Sequence, residues 1–465
     1  MGRIRGIAFV TGILCCSTVL AVEWEVEPSI IVAETYTDNL ELDTDALKDD
    51  EFVTEIKPEL KLTAVGKRFD IEFDYRLQGL IFSRRDDLDE VLNYSRTRGT
   101  AQLIGDSVFI DFSGSLGQQI VNPEGRIGIS GITPGQNRNE VGYFRVNPYF
   151  QRQLGRNSNI VVGYQYGLVE YDDVSLVDSE SNGLSASISG TPPSSSWSWR
   201  IDADSSRIDY DSGARVDLQR IGGEFSWSLG KTAIFVGGGD EDNEFNQILG
   251  ASKIDGAFWN VGLRGDLDRL TTFSISVGEQ HFGDSYSFSL KRAAGLLQTD
   301  ISYLEETTTI GQQQQGYEAL FKFLSNITGV ELPTPGAEVY VRKRLSTVAT
   351  LELARSRYRF NAYSEDRDYL TTALGDSDGI FGVALSWTWT ALPRTEFSVD
   401  AGWQRFDLRS GSNDPEDVRL QFRLQREIKN GFFVNARVWQ NSRFSTAESQ
   451  EYTENTISVG VGKRF

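Results

Sequence analysis

The sequence predicts an all-β fold: a transmembrane, antiparallel, up-and-down β-barrel of about 22 strands (range about 18–22), with short periplasmic turns and long extracellular loops. Three observations predict it. The carboxy-terminal stretch Ile457–Phe465 alternates apolar with small or polar residues and stops on an aromatic residue. Period two is what a strand needs to show one face to oil and the other to water. The same alternation recurs in paired segments along the chain. The connections between those segments are short at one end and long at the other.

Taken in order, residues 1–21 form a secretory leader. Arg3 and Arg5 give a positive start, Ile7 to Leu20 an apolar run, and Val19-Leu20-Ala21 a small-residue cleavage site. The run is too short and too interrupted for a spanning helix. Both cysteines, Cys15 and Cys16, lie within it, so the mature chain has no disulfide and no thiolate chemistry. Residues 22–465 form a single domain without a linker. The 465 residues carry a net charge of −20, and losing the leader's two arginines makes it −22. That charge excludes a nucleic-acid partner, because phosphate affinity needs a basic surface.

The first clear hairpin is Phe52 to Val65, Gly66-Lys67, then Phe69 to Phe82. In its second strand Phe69, Ile71, Phe73, Tyr75 and Leu77 share one face; Asp70, Glu72, Asp74, Arg76 and Gln78 share the other. Short connections recur at Gly105-Asp106, Gly155 to Ser158, Thr191 to Ser196, Gly230-Lys231, Asp266 to Arg269, Ala391 to Arg394 and Lys429 to Gly431. Long ones are expected at 37–51, 118–140, 172–182, 240–253, 309–336, 362–379 and 441–450. The segments 184–190 and 299–308 alternate weakly. Trp197, Trp199, Trp227, Trp387 and Trp389 adjoin short turns, where an inner aromatic girdle belongs.

The faces opposite the apolar ones should line the lumen, and they carry fifteen basic against twelve acidic residues. Candidate pore-lining residues are Arg96, Arg98, Arg145, Arg264, Arg419, Arg423 and Arg437 with Asp70, Glu72 and Asp74. A near-neutral lumen would suit a neutral or weakly charged solute. The surplus acid then lies in the loops, as in the first one, where Asp38, Glu41, Asp43, Asp45, Asp49, Asp50 and Glu51 face Lys48 alone. Such loops could hold divalent cations bridging to lipopolysaccharide, or be merely solvated.

Catalytic chemistry is sparse. The lone His281 follows Phe273, Ile275, Val277 and Glu279 on the lipid-facing parity and has no serine at a useful spacing, so it is expected as an interfacial histidine. No catalytic residue, metal ligand or cofactor site is expected. Gly237-Gly238-Gly239 precedes a loop and is no phosphate cradle. Tyr317 to Leu324 reads as a short helix in the longest connection, placed to cover or constrict the pore.

The closing strand ending in Phe465 resembles those of bacterial outer-membrane barrels, which implies that Phe465 is read by the barrel-assembly machinery. Trp24 to Leu40, most specifically Pro28 to Asn39, with Ile56-Lys57-Pro58-Glu59-Leu60, resembles the outer-membrane β-barrels associated with exopolysaccharide and PEP-CTERM loci of Gram-negative bacteria. The likeness extends in layout over the mature chain. It implies localisation in the outer membrane, contact with its lipid and lipopolysaccharide, and work alongside exopolysaccharide and periplasmic export proteins. The expected role is a non-enzymatic, passive conduit in exopolysaccharide export. A general small-solute porin, or a structural barrel anchoring surface polymer, is the alternative. A 22-stranded receptor with a plug domain is disfavoured, since the first strand leaves little chain before it.

Overall fold

A strand buried on neither edge must pair on both sides, and here every strand does. The computed structural model describes residues 22–465 apart from 123–124, 129, 136, 174, 247–253, 310–311, 313–337, 371–376 and 409–413. In chain order the strands are β1 (Glu23–Thr37), β2 (Glu51–Val65), β3 (Phe69–Phe82), β4 (Glu90–Ile104), β5 (Val108–Ile120), β6 (Arg138–Leu154), β7 (Ser158–Tyr171) and β8 (Ser179–Gly190). There follow β9 (Trp197–Tyr210), β10 (Arg215–Leu229), β11 (Thr232–Asn246), β12 (Ile254–Asp266), β13 (Thr271–Gln280), β14 (Gly283–Ala294) and β15 (Leu297–Thr309). The last are β16 (Val339–Glu352), β17 (Ser356–Tyr369), β18 (Ser377–Leu392), β19 (Thr395–Asp407), β20 (Glu416–Glu427), β21 (Phe432–Phe444) and β22 (Tyr452–Arg464). Each pairs antiparallel with its chain neighbours, and β1 pairs β22 from Ser29↔Arg464 to Thr37↔Thr456, closing a 22-stranded barrel. Closure removes every sheet edge, the condition for a sheet in a medium without water.

The outside is apolar. Ile30 and Val32 on β1, Phe422 and Leu424 on β20, and Ile457, Val459 and Val461 on β22 all point outward and are exposed. In water such a belt would cost about 25 cal/mol per Å², so it calls for hydrocarbon around it. Trp24, Trp197, Trp227 and Trp389 are exposed at the short-turn end of this belt. Trp387 stacks between Tyr358 and Trp389, at 6.1 and 6.0 Å. Phe465 lies on the same outer rim, 70 % exposed. Its backbone N–H bonds the Pro28 carbonyl at 3.0 Å, and the Lys463 ammonium sits 4.4 Å from its ring centre.

The strands outrun the expected loops at the long-loop end. β11 continues to Asn246, β17 to Tyr369 and β21 to Phe444, and both weakly alternating segments are full strands. The outward side chains there are polar, as at Ser364, Asp366 and Asp368, so the hydrophobic signal stops while the hydrogen-bond ladder runs on. Two connections at this end are short, 211–214 and His281-Phe282. The leader and the expected 317–324 helix lie outside the described residues.

Among the described residues, two elements fill the long-loop end of the lumen. Loop 121–137 leaves β5 and reaches the opposite wall, where Ile127 packs with Tyr363, Ile380, Phe406 and Leu408. The Asn441 amide and the Tyr452 hydroxyl donate to the Ile127 carbonyl at 2.8 and 2.9 Å, and Arg443 donates to the Gly125 carbonyl. The end of β16 is buried on both faces: Val339 packs with Ile208, Tyr210 and Phe245, while Tyr340 meets Tyr369 at 5.4 Å. The β15–β16 pair is therefore tucked between the β9–β11 wall and β17.

Candidate functional site: a cationic seam in the lumen

Inward positions are fixed by the pleat, and each sequence-derived candidate lies on the face opposite the exposed apolar residues. Asp70, Glu72 and Asp74 on β3 pair across to Thr100, Arg98 and Arg96 on β4. The Arg98 Nε donates to Glu72 at 2.7 Å. Arg145 on β6 lies opposite Ser113, and these residues share a recess of about 360 Å³ with Asp111. Arg264 donates to Glu224 at 2.6 Å. Arg419 is buried at the loop end, where it donates to Asp417 at 3.2 Å and to Asn441 at 3.3 Å. Asp417 also takes two hydrogen bonds from Arg443, at 2.7 and 3.0 Å.

Arg423 and Arg437 are different. They stand directly opposite each other on β20 and β21, a like-charge pairing that destabilises a sheet unless something compensates it. Among the described residues neither has a carboxylate within ion-pair distance, and both Nε atoms are buried without a hydrogen-bond partner. Lys57 on β2 and Arg76 on β3 lie within electrostatic reach of Arg437. Glu55 accepts from Lys57 at 2.7 Å, Thr35 at 2.7 Å and Gln78 at 2.8 Å, and Glu59 stands opposite Arg76 in register. Between the two cation pairs run β22 and β1, which at this level show the lumen the small side chains Ser458, Gly460, Ala33 and Thr35, with Ile31 opposite Lys57. At about 4.8 Å per strand that floor spans about 14 Å, short enough for long side chains to lean over it from both sides.

The facing wall is built otherwise. Strands β8, β13 and β14 present Ser185, Ser276, Ser285 and Ser287 to a cavity of about 790 Å³. Each arginine of this wall has a carboxylate: Arg200 with Asp202 at 3.4 Å, Arg220 with Glu241 at 2.8 Å, Arg264 with Glu224 at 2.6 Å. Aromatic rings lie flat where inward glycines leave no Cβ: Phe258 over Gly222 and Gly239, Phe235 over Gly262. Arg220 and Arg264 cap these rings, 3.8 and 4.9 Å from the ring centres. Tyr363 over Gly382 beneath Arg344 repeats the stack on β17 and β18. Such layers pack the wall without narrowing it, and they assign Gly237 and Gly239 to a strand interior.

His281 departs from its sequence reading. Its side chain is only 3 % exposed and turns inward, with Nδ1 2.6 Å from Glu241 Oε2 and Nε2 2.9 Å from the Thr307 hydroxyl. The two-residue turn it occupies breaks the parity of β13, which is why alternation placed it on the outside. It ties β11, the β13–β14 tip and β15 together.

Also missed were Glu365, Arg367 and Arg443, within strand ends expected as loops, and Asp417 at the start of β20. Glu365 is buried between Arg344 and Arg367, at 2.7 and 2.6 Å. The size alternation of Tyr363, Glu365, Arg367 and Tyr369 was the available signal. The acidic first loop is largely ion-paired: Asp45 with Lys48 at 2.8 Å, Asp50 with Arg84 at 3.2 Å, Glu41 with Arg85 at 3.0 Å. Asp43 pairs with Arg126 of loop 121–137. Among the described residues no three His, Cys, Asp or Glu groups converge as a metal site.

No family model and no curated protein matches this chain. Solved structures do. BauA, the ferric preacinetobactin receptor of Acinetobacter baumannii, is 9 % identical with a TM-score of 0.53, over 95 % of this chain and 81 % of its own. The siderophore receptor PiuA of the same organism is 9 % identical with a TM-score of 0.51, over 94 % of this chain and 82 % of its own. At such identity the likeness shows the fold, that of an outer-membrane β-barrel.

Proposed function

We propose that this chain is a Gram-negative outer-membrane barrel that guides an exopolysaccharide from periplasm to surface as a passive conduit. The observation that carries the reading is the cationic seam: among the described residues Arg423 and Arg437 face each other without an ion-paired carboxylate, while Arg200, Arg220 and Arg264 of the facing wall are ion-paired. Inward amides such as Gln421, Gln425 and Asn435, and the serines of the facing wall, replace water around sugar hydroxyls. Loop 121–137 narrows the outer mouth. In this reading the short turns face the periplasm and its export proteins, the outer loops meet lipopolysaccharide, and Phe465 is recognised during barrel assembly. The layout shared with barrels of PEP-CTERM and exopolysaccharide loci supports the cargo. No step of covalent chemistry is assigned.

A small-solute porin is the second reading, favoured by the inward fold of loop 121–137, which makes a constriction. Cells lacking this chain decide between the two. Polysaccharide building up in the periplasm and disappearing from the medium supports the conduit. Unchanged secretion with altered small-solute uptake supports the porin.

A further inference from the structure

We infer that the seam of the barrel is a binding site for acidic saccharide, engaging carboxylate groups along the sugar chain. This deepens the conduit reading and rests on it for the cargo's being a saccharide. Four cations, Lys57, Arg76, Arg423 and Arg437, flank a floor of mostly small residues, with the carboxylates Glu55 and Glu59 both on the β2 side. Glu55 is taken by Lys57, Thr35 and Gln78, and Glu59 stands opposite Arg76 in register, which leaves Arg423 and Arg437 as the pair without an ion-paired carboxylate among the described residues.

Holding Arg423 opposite Arg437 costs stability in an empty wall, since like charges across a strand pair repel. The arrangement makes sense when an anion bridges them. A guanidinium offers a planar fork that matches a carboxylate with two parallel N–H···O bonds. Two forks on one side, with Lys57 on the other and Arg76 beyond it over the Tyr94 ring, give successive anionic sugars a place to be handed across the seam. Gly460 keeps that floor open: a Cβ there would collide with Asn435 and Ala33, and any larger side chain would fill the space the cations lean over. The near-neutral total of the lumen hides this local surplus, because the inward neighbours of Arg423 and Arg437 on β20 and β21 are the amides Gln421, Gln425 and Asn435.

The test uses the full-length barrel purified in detergent, its folding checked by mobility on unheated gels. Binding of oligogalacturonate is compared with maltooligosaccharide of equal length. The acidic oligomer is expected to bind and the neutral one to bind at least tenfold more weakly, with affinity for the acid falling as salt rises. In R423Q/R437Q the acid's affinity should drop at least tenfold. R423K/R437K keeps the charge without the fork and should lie between. Equal binding of the two oligomers, or a folded R423Q/R437Q that binds the acid as before, overturns the site. If the glutamine variant does not fold, the lysine variant and the wild-type salt dependence decide. Secretion unchanged in cells lacking the chain, with acid binding intact in vitro, sinks the conduit and leaves the site. Lost secretion without acid binding does the reverse.

Discussion

The seam, from β20 through β22 and β1 to β3, and the wall facing it, from β8 to β14, use one backbone plan to opposite ends. The facing wall neutralises its charge locally: Arg200, Arg220 and Arg264 each meet a carboxylate, and serines and glycines keep the lumen wide. The seam leaves Arg423 and Arg437 facing each other, beside a floor of mostly small residues, with no ion-paired carboxylate among the described residues. A barrel wall can therefore be near neutral in sum and strongly polarised across its diameter. What a solute meets depends on where the carboxylates stand, not on how many there are.

The comparison breaks most readily at Glu55. E55Q removes the buried carboxylate that pairs Lys57, a loss of about 3–5 kcal/mol. The folded band on unheated gels should disappear at a clearly lower temperature, and an unchanged transition would mean the seam charges are solvated. E241Q in the facing wall costs less, about 1–3 kcal/mol, since Arg220 is open to the lumen while His281 keeps Thr307. If E241Q proves the more damaging, the two walls are not as different as their pairing suggests.

Smaller effects sharpen the contrast. Ser276 and Ser287 share a 2.6 Å hydrogen bond. Replacing both by alanine removes donor and acceptor together, so stability should move by no more than about 0.5 kcal/mol. Channel conductance, read in planar bilayers, should stay within about a tenth of wild type if that wall only maintains width. The smallest effect lies at the outer rim. The hydrogen bond from Arg85 holds the Asp87 carboxyl below its ordinary value. Its folded pKa is then lower than its unfolded one, so the contribution is present above the ordinary carboxylate range and lost as pH falls through the lowered value. Both groups are open to solvent, so salt screens the pair. R85Q should melt with wild type in high salt and fall slightly below it only in low salt at neutral pH.

Fold and site differ in how far they can be seen in the sequence. Alternation is local, so Asp70, Glu72 and Asp74 can be set against Ile71, Phe73 and Tyr75 from a dozen residues. Summed over the chain it gives the strand number. It fails where the outer face turns polar, which hid the ends of β11, β17 and β21, and at the two-residue turn that swings His281 inward.

The sequence by itself determined the closed barrel, its belt, its closing strand and the inward face of most strands, because a two-residue period and a turn are set by neighbours along the chain. The tertiary structure alone decided which inward charges find partners. Arg437 and Lys57 lie 380 positions apart in sequence and approach only because β22 pairs with β1. Loop 121–137 meets Tyr363 and Tyr452 only across the lumen. The register across the β1–β22 closure brings such groups together, and that register is not written in any local pattern.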